Sequence, residues 1–175
     1  MSAKDLEVFK FLSAVEVFLL TEDKKEVLLI HRGKDRKFLP DYYAGLGGKM
    51  DFKTNESPLD TAIREISEES PYTLNDIINI ELKAIFTAID RFGKWIVFDF
   101  VGVVKEKKFI KPLKTDEGTL EWIKIENLME YKLIPDLRYN VINKILFTDN
   151  LLWIKSDFDS NDNMISLIVN NEKIV

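Results

Sequence analysis

The sequence predicts an α/β protein, a mixed sheet sandwiched between helices in an α/β/α arrangement. Three observations carry this expectation. Short apolar runs with strand character recur along the chain, bounded by polar, glycine- or proline-bearing turns. Two segments instead repeat their apolar residues with the helical period. The chain has 175 residues, 46% hydrophobic and 31% charged, enough for one domain with a sizeable core. No repeat, low-complexity tract or linker divides it, so residues 1–175 are expected to form a single domain.

Taken in order, residues 11–20 read as a strand and 21–26 as a polar turn. Residues 27–32 form its hairpin partner. A charged loop over 34–42 leads to Gly45-Leu46-Gly47-Gly48, read as a glycine-rich turn that permits positive φ and close backbone approach. A helix follows. Ser57 is its N-cap, Pro58 suits the first helical position, and Asp60 completes a capping box. Leu59, Ala62, Ile63 and Ile66 form its apolar stripe, and Ser70-Pro71 ends it.

Residues 81–91 and 94–105 read as two strands joined by a Phe92-Gly93 turn. The run Trp95–Val104 looks buried on both faces. Residues 105–114 are basic and loop-like. Residues 120–125 read as a strand and 127–131 as a helical turn. Asp136 is placed as the cap of a helix over 137–147, with Val141, Ile142, Ile145 and Leu146 inward. Residues 151–157 and 164–169 read as a C-terminal hairpin.

Composition narrows the function. A net charge of −5 argues against a stable nucleic-acid partner, because such proteins usually carry a basic excess. The chain has no cysteine, which removes disulfides and thiolate chemistry and fits a reducing, cytoplasmic setting. Its N-terminus is too charged for a secretory signal. Its apolar stretches are far shorter than the roughly 20 residues a membrane helix needs. The expected state is monomer or homodimer, with the C-terminal hairpin as a candidate contact.

The informative cluster is Arg64-Glu65-Ile66-Ser67-Glu68-Glu69. On a helix, Glu65 meets Glu68 at i,i+3 and Glu69 at i,i+4, so like charges share a face. A hard divalent cation that prefers oxygen ligands would offset that repulsion. At about 100° per residue, Glu65 and Glu69 flank the buried stripe while Glu68 lies further round.

With Glu56 and the glycines, these residues resemble the Nudix hydrolases, whose pattern is G-x5-E-x7-R-E-U-x-E-E-x-G-U with U aliphatic. Glu56, seven intervening residues and Arg64–Glu69 match, as does Gly47-Gly48-Lys49. Two departures stand out. Seven residues rather than five separate Gly48 from Glu56, and Pro71-Tyr72 replaces the glycine and aliphatic residue after the helix. The order of elements extends the resemblance over about residues 10–148, with the hairpin at 151–169 as an extension.

The resemblance implies a magnesium-dependent (or manganese-dependent) hydrolase of phosphoric anhydride bonds. Glu65, Glu68 and Glu69 would be metal ligands and catalytic residues, with Gly48 and the downstream Glu117 completing the metal site. Glu56 and Arg64 would form a supporting ion pair. Lys49, Arg32, Tyr43 and Asp136 would contact substrate. Asp136 corresponds to a base-reading aspartate of oxidised-purine triphosphatases, whereas Ala44 replaces the asparagine that accompanies it there. His31 is expected to be structural. Trp95 and Trp122 are expected in the core, and Tyr42 and Tyr43 are the stacking candidates.

Three functions remain open at this point. The first is a MutT-like nucleoside triphosphate pyrophosphohydrolase serving nucleotide pool sanitation, with oxidised purines such as 8-oxo-dGTP among its candidate substrates. The second is a hydrolase of ADP-ribose, dinucleoside polyphosphates or other nucleoside diphosphate derivatives. The third is a non-catalytic nucleotide-binding domain.

Overall fold

The computed structural model describes residues 11–37, 39–51, 53–91, 93–161 and 163–175. The N-terminal segment and Phe92 of the expected turn lie outside the described residues. Among the described residues, one mixed sheet runs β11-β10-β9-β5-β6-β1-β2-β8-β7. Its main strands are β1 (Phe11–Leu20), β2 (Glu26–Arg32), β5 (Ile77–Asp90), β6 (Gly93–Val104), β8 (Gly118–Lys124), β9 (Leu152–Phe158) and β10 (Met164–Val169). The short strands are β3 (Tyr43–Ala44), β4 (Leu46–Lys49), β7 (Leu113–Lys114) and β11 (Glu172–Lys173). Helix α1 is Pro58–Glu69 and helix α2 is Val141–Phe147.

Alternation along the strands builds two cores, one per face. Val15, Val17 and Leu19 of β1 join Leu28 and Ile30 of β2 beneath Ala62 and Ile66 of α1. Phe18 and Leu20 join Val27 and Leu29 beneath Val141, Ile142, Ile145 and Leu146 of α2. Central strands covered on both faces explain their near-continuous apolar sequences.

Strand β5 keeps its apolar residues inward by breaking step twice. Its register against β6 shifts between Ile77 and Asn79 and again between Leu82 and Ala84. Each extra residue reverses which face later side chains occupy. Leu82 therefore packs under α1, while Ala84 and Phe86 face α2.

Helix α1 is capped as expected. Ser57 Oγ accepts from the Asp60 N–H, and the Asp60 carboxylate accepts from the Ser57 N–H. Its buried face differs from the stripe read in sequence. Thr61, Ala62, Glu65 and Ile66 are buried, whereas Leu59 is exposed. Tyr72, after the helix stop, is fully buried, and its hydroxyl accepts from the Lys108 N–H at 2.8 Å. The aromatic substitution is thus absorbed by the core.

Two further expectations are corrected. The glycine run is not a turn: Leu46–Lys49 is a strand antiparallel to β1, and none of its glycines has positive φ. Asp136 does not cap the last helix. Residues Pro135–Leu137 form a separate 3₁₀ turn, and Asn140, at φ 65°, precedes α2. Proline at 135 tightens this turn, and the positive φ at Tyr139 and Asn140 breaks helical continuity. The C-terminal hairpin forms between β9 and β10 but also extends the main sheet, with β9 parallel to β5.

No helix among the described residues is long and apolar enough to cross a membrane.

Candidate active site

Strand β1 changes partners midway on one edge. Ala14–Val17 pair with β4, and Leu19 and Leu20 pair with β2. A cavity of about 720 Å³ opens where these partners part, a size suited to a nucleotide-scale ligand. Its lining includes Glu65 and Glu69 of α1, Gly47, Gly48 and Lys49 of β4, Arg32 at the end of β2, and Glu117 just before β8.

The glycines serve close packing rather than positive φ. A Cβ on Gly48 would collide with the Glu65 carboxylate, and one on Gly47 would collide with the carbonyl oxygen of Val15. Without side chains at Gly47 and Gly48, β4 packs between β1 and α1. The Gly47 N–H donates to Glu69 Oε2 at 2.8 Å.

Arg64 organises the acids. Its Nε donates to Glu56 Oε1 at 3.1 Å, and its Nη2 reaches Glu56 Oε2 and the Lys49 carbonyl, each at 3.3 Å. Its Nη1 donates to Glu65 Oε1 at 2.7 Å and to Glu68 Oε2 at 2.9 Å. The expected Glu56–Arg64 pair is present, and it links the loop to the helix. The lengthened loop is folded locally, with the Asp51 carboxylate accepting from the Lys53 N–H at 2.8 Å and the Asp51 carbonyl accepting from the Thr54 hydroxyl at 3.1 Å. The extra length leaves the contact between β4 and α1 intact.

The electrostatics concentrate on three carboxylates. Burial, then the neighbouring Glu65 and Glu117, push Glu69 up to about 7, against the Gly47 hydrogen bond. Burial also raises Glu65, opposed by Arg64. Glu117 is ion-paired with Arg36, a residue not singled out in sequence. Arg32 is half-buried and feels Glu69, Glu117 and Glu16.

Glu68 differs from its neighbours. It is mostly exposed, held by Arg64 and outside the cavity lining. Among the described residues, no three His, Asp or Glu side chains are already arranged as a metal cage. The donor set nevertheless suits a hard cation: Glu65, Glu69 and Glu117 supply carboxylate oxygens within one another's field.

Other predicted contacts are redistributed. Lys49 lies 5.5 Å over the Trp95 ring, and Trp95 lines the cavity rather than the core. Asp136 also lines the cavity. Tyr43 does not: its ring stacks on His31 at 4.4 Å, meets Tyr131 edge-on, and its hydroxyl donates to Glu121. Burial raises its pKa to about 12. Tyr42 lies beneath Lys132 and Arg138. His31 lies outside the cavity lining and is bonded to Asp41 at 3.1 Å. Glu16 and Asp99 were missed. Their signal was a carboxylate inside an otherwise apolar strand, which needs a partner or a purpose.

The family model for the NUDIX domain matches residues 10–144. The chain belongs to the Nudix family. The fold and the acidic helix agree with that membership. Among solved structures, a MutT protein from Bacillus halodurans superposes with a TM-score of 0.75 at 25% identity, covering 92% of this chain and 99% of that one. A MutT protein from Methanosarcina mazei Go1 gives 0.62 at 17% identity, covering 79% and 94%. The NUDIX domain of Shewanella oneidensis NrtR, solved with ADP ribose, gives 0.62 at 20% identity, covering 82% and 96%. A search of curated proteins found no match. This MutT-like Nudix membership indicates a hydrolase acting on phosphoric anhydride bonds.

Proposed function

We propose that this Nudix protein is a magnesium-dependent pyrophosphohydrolase that cleaves nucleoside triphosphates to the monophosphate and pyrophosphate, in a nucleotide-sanitising role. One observation carries the reading: Glu65, Glu69 and Glu117 line one nucleotide-sized cavity together with Arg32, Arg36 and Lys49. Acids and cations lining one cavity match a substrate that brings several phosphates together with a divalent cation.

Glu65, Glu69 and Glu117 would hold Mg²⁺ (or Mn²⁺), with Glu68 turning from Arg64 and Gly48 adding its carbonyl. The bound ion neutralises phosphate charge and lowers the pKa of bound water. The chain's own residues do the positioning. Arg32, Arg36 and Lys49 bind phosphate oxygens. Arg64 holds the helix face and the Lys49 carbonyl in one frame through Glu56. The Gly47 N–H fixes one Glu69 oxygen and leaves the other for the ion.

A panel of nucleoside triphosphates, ADP-ribose and dinucleoside polyphosphates, assayed with Mg²⁺ and product identification, tests this reading. Monophosphate and pyrophosphate from a triphosphate, abolished in Glu69→Gln, is the expected result. Clear preference for ADP-ribose over every triphosphate would replace it with the nucleoside-diphosphate reading.

A further inference from the structure

An arginine holds each flank of the acidic site, and the two arginines are held differently. Arg64 is fixed, because Glu56 and the Lys49 carbonyl anchor it while its Nη1 reaches Glu65 and Glu68. Arg36 has no such frame. Among the described residues its guanidinium has one ion-pair partner, Glu117, bonded from Nη2 to Oε2. The two side chains are 35% and 34% exposed, so neither is locked by packing. Both line the same cavity as Glu65 and Glu69.

The backbone beneath this pair is anchored independently of it. Arg36 lies in the loop 33–42, between β2 and β3. The Gly33 N–H donates to the Glu117 carbonyl at 3.1 Å, and the Arg36 N–H donates to the Gly33 carbonyl at 3.2 Å. The Arg32 N–H donates to the Tyr42 carbonyl at 2.9 Å and closes the loop at its base. Exchange of the Arg36–Glu117 bond for other partners therefore needs rotation of the side chains and no backbone movement. The surroundings favour that exchange. Glu117 lies in the field of Glu65 and Glu69, a repulsion that a cation relieves. Arg36 lies in the field of Arg32, a repulsion that a phosphate relieves.

We propose that Arg36 is the resting counterion of Glu117, and that exchange of this ion pair couples cation binding to phosphate binding. A divalent cation taking the Glu117 carboxylate displaces Arg36. A phosphate taking Arg36 displaces Glu117. Each ligand thus breaks the bond that opposes the other, and each raises the other's affinity by the same factor. A partly exposed ion pair is weak enough to exchange and strong enough to change an affinity about fivefold. Toward the cation, Arg36 is a positioning residue that acts through Glu117. This inference rests on the cation and phosphate roles proposed above and deepens them.

Titration of each ligand by itself is the test, because cation and phosphate also bind one another in solution. Mg²⁺ alone is titrated calorimetrically into the nucleotide-free protein, and pyrophosphate into the metal-free protein with a chelator present. Arg36→Gln is expected to bind Mg²⁺ about fivefold tighter than wild type. Lys37 belongs to the same loop and cavity lining but, among the described residues, is not bonded to Glu117. Lys37→Gln is therefore expected to leave Mg²⁺ affinity unchanged. Glu117→Gln is expected to bind pyrophosphate about fivefold tighter, and adding Arg36→Gln to it removes that gain. Melting temperatures establish that each variant is folded. An unchanged Mg²⁺ affinity in Arg36→Gln, an equal gain in Lys37→Gln, or a pyrophosphate gain that persists without Arg36 overturns the proposal. If Arg36→Gln leaves Mg²⁺ binding unchanged while triphosphates are still hydrolysed, the coupling alone falls. If Mg²⁺ binds neither wild type nor any variant, the cation reading above falls and the coupling with it.

Discussion

The backbone N–H of Gly47 donates to Glu69 Oε2 at 2.8 Å, tying the glycine strand to the acidic helix alongside the Arg64–Lys49 carbonyl bond. It makes β4 part of the site and not only of the sheet. The two adjacent glycines then answer to different neighbours, and substitution separates them. Gly48→Ala is expected to leave the fold in place and displace the Glu65 carboxylate, lowering kcat/KM by at least about tenfold, or roughly 1.4 kcal/mol of transition-state stabilisation. Gly47→Ala drives a methyl into the Val15 carbonyl and should destabilise the protein by about 1–3 kcal/mol. Paired melting curves and kinetics distinguish the two. Equal loss of stability in both would contradict the assignment.

Arg64 bonds Glu56, Glu65, Glu68 and the Lys49 carbonyl at once. Arg64→Lys cannot reproduce that fork, because an ammonium is a point donor. We expect Arg64→Lys and Arg64→Ala to lose activity to a similar degree. The stability cost should be only about 1 kcal/mol, since the side chain is partly exposed and solvent screens the pairs. Restoration of full turnover by lysine would show that charge alone suffices.

Magnesium should stabilise the folded state by mass action. At about a hundred times its Kd, a cation adds about 2.7 kcal/mol. The melting temperature of the wild-type protein is therefore expected to rise with Mg²⁺, and that rise should vanish in Glu69→Gln. A shift that survives in Glu69→Gln would place the cation elsewhere.

The inner carboxyls make stability fall as pH rises. Glu16 is raised from 4.5 to about 7, and Asp136 from 3.8 to about 6, in both cases chiefly by burial. Glu16 faces Asp136 and Arg32, and Asp99 faces Glu16 and Asp136. In this window the folded state binds more protons than the unfolded chain, so unfolding becomes easier as pH increases. Stability should be highest near the ordinary carboxylate values and decline through about pH 7. Glu16→Gln should flatten the decline and raise the melting temperature at pH 8. A metal-free melting series in which wild type and Glu16→Gln run parallel from pH 5 to 8 would contradict this.

Much of the scaffold was legible in the residues. The Ser57-Pro58-Asp60 cap is a local signal and formed as read. So did the alternating strand over Phe11–Leu20 and the inward residues of α2. Local cues failed where tertiary contacts took over. The glycines read as a turn because their φ freedom is a sequence property, whereas the approach of Glu65 and β1 is not. Leu59 belonged to the stripe by spacing, yet the sheet covers Thr61 and Glu65 instead. Tyr43 was a stacking candidate by proximity to the glycines, but β2 turns it onto His31. Trp95 exchanged places with it, lining the cavity.

By itself, the sequence determined the fold class and the capped acidic helix, because helix periodicity and capping act over a few residues; the Glu56–Arg64 pair was implied by the family resemblance. The convergence of Glu117 with Glu65 and Glu69 was decided by the tertiary structure alone, as was the stacking of Glu16 beside Asp99. Those residues lie far apart in the chain, and only strand register and the divided edge of β1 bring them to one cavity.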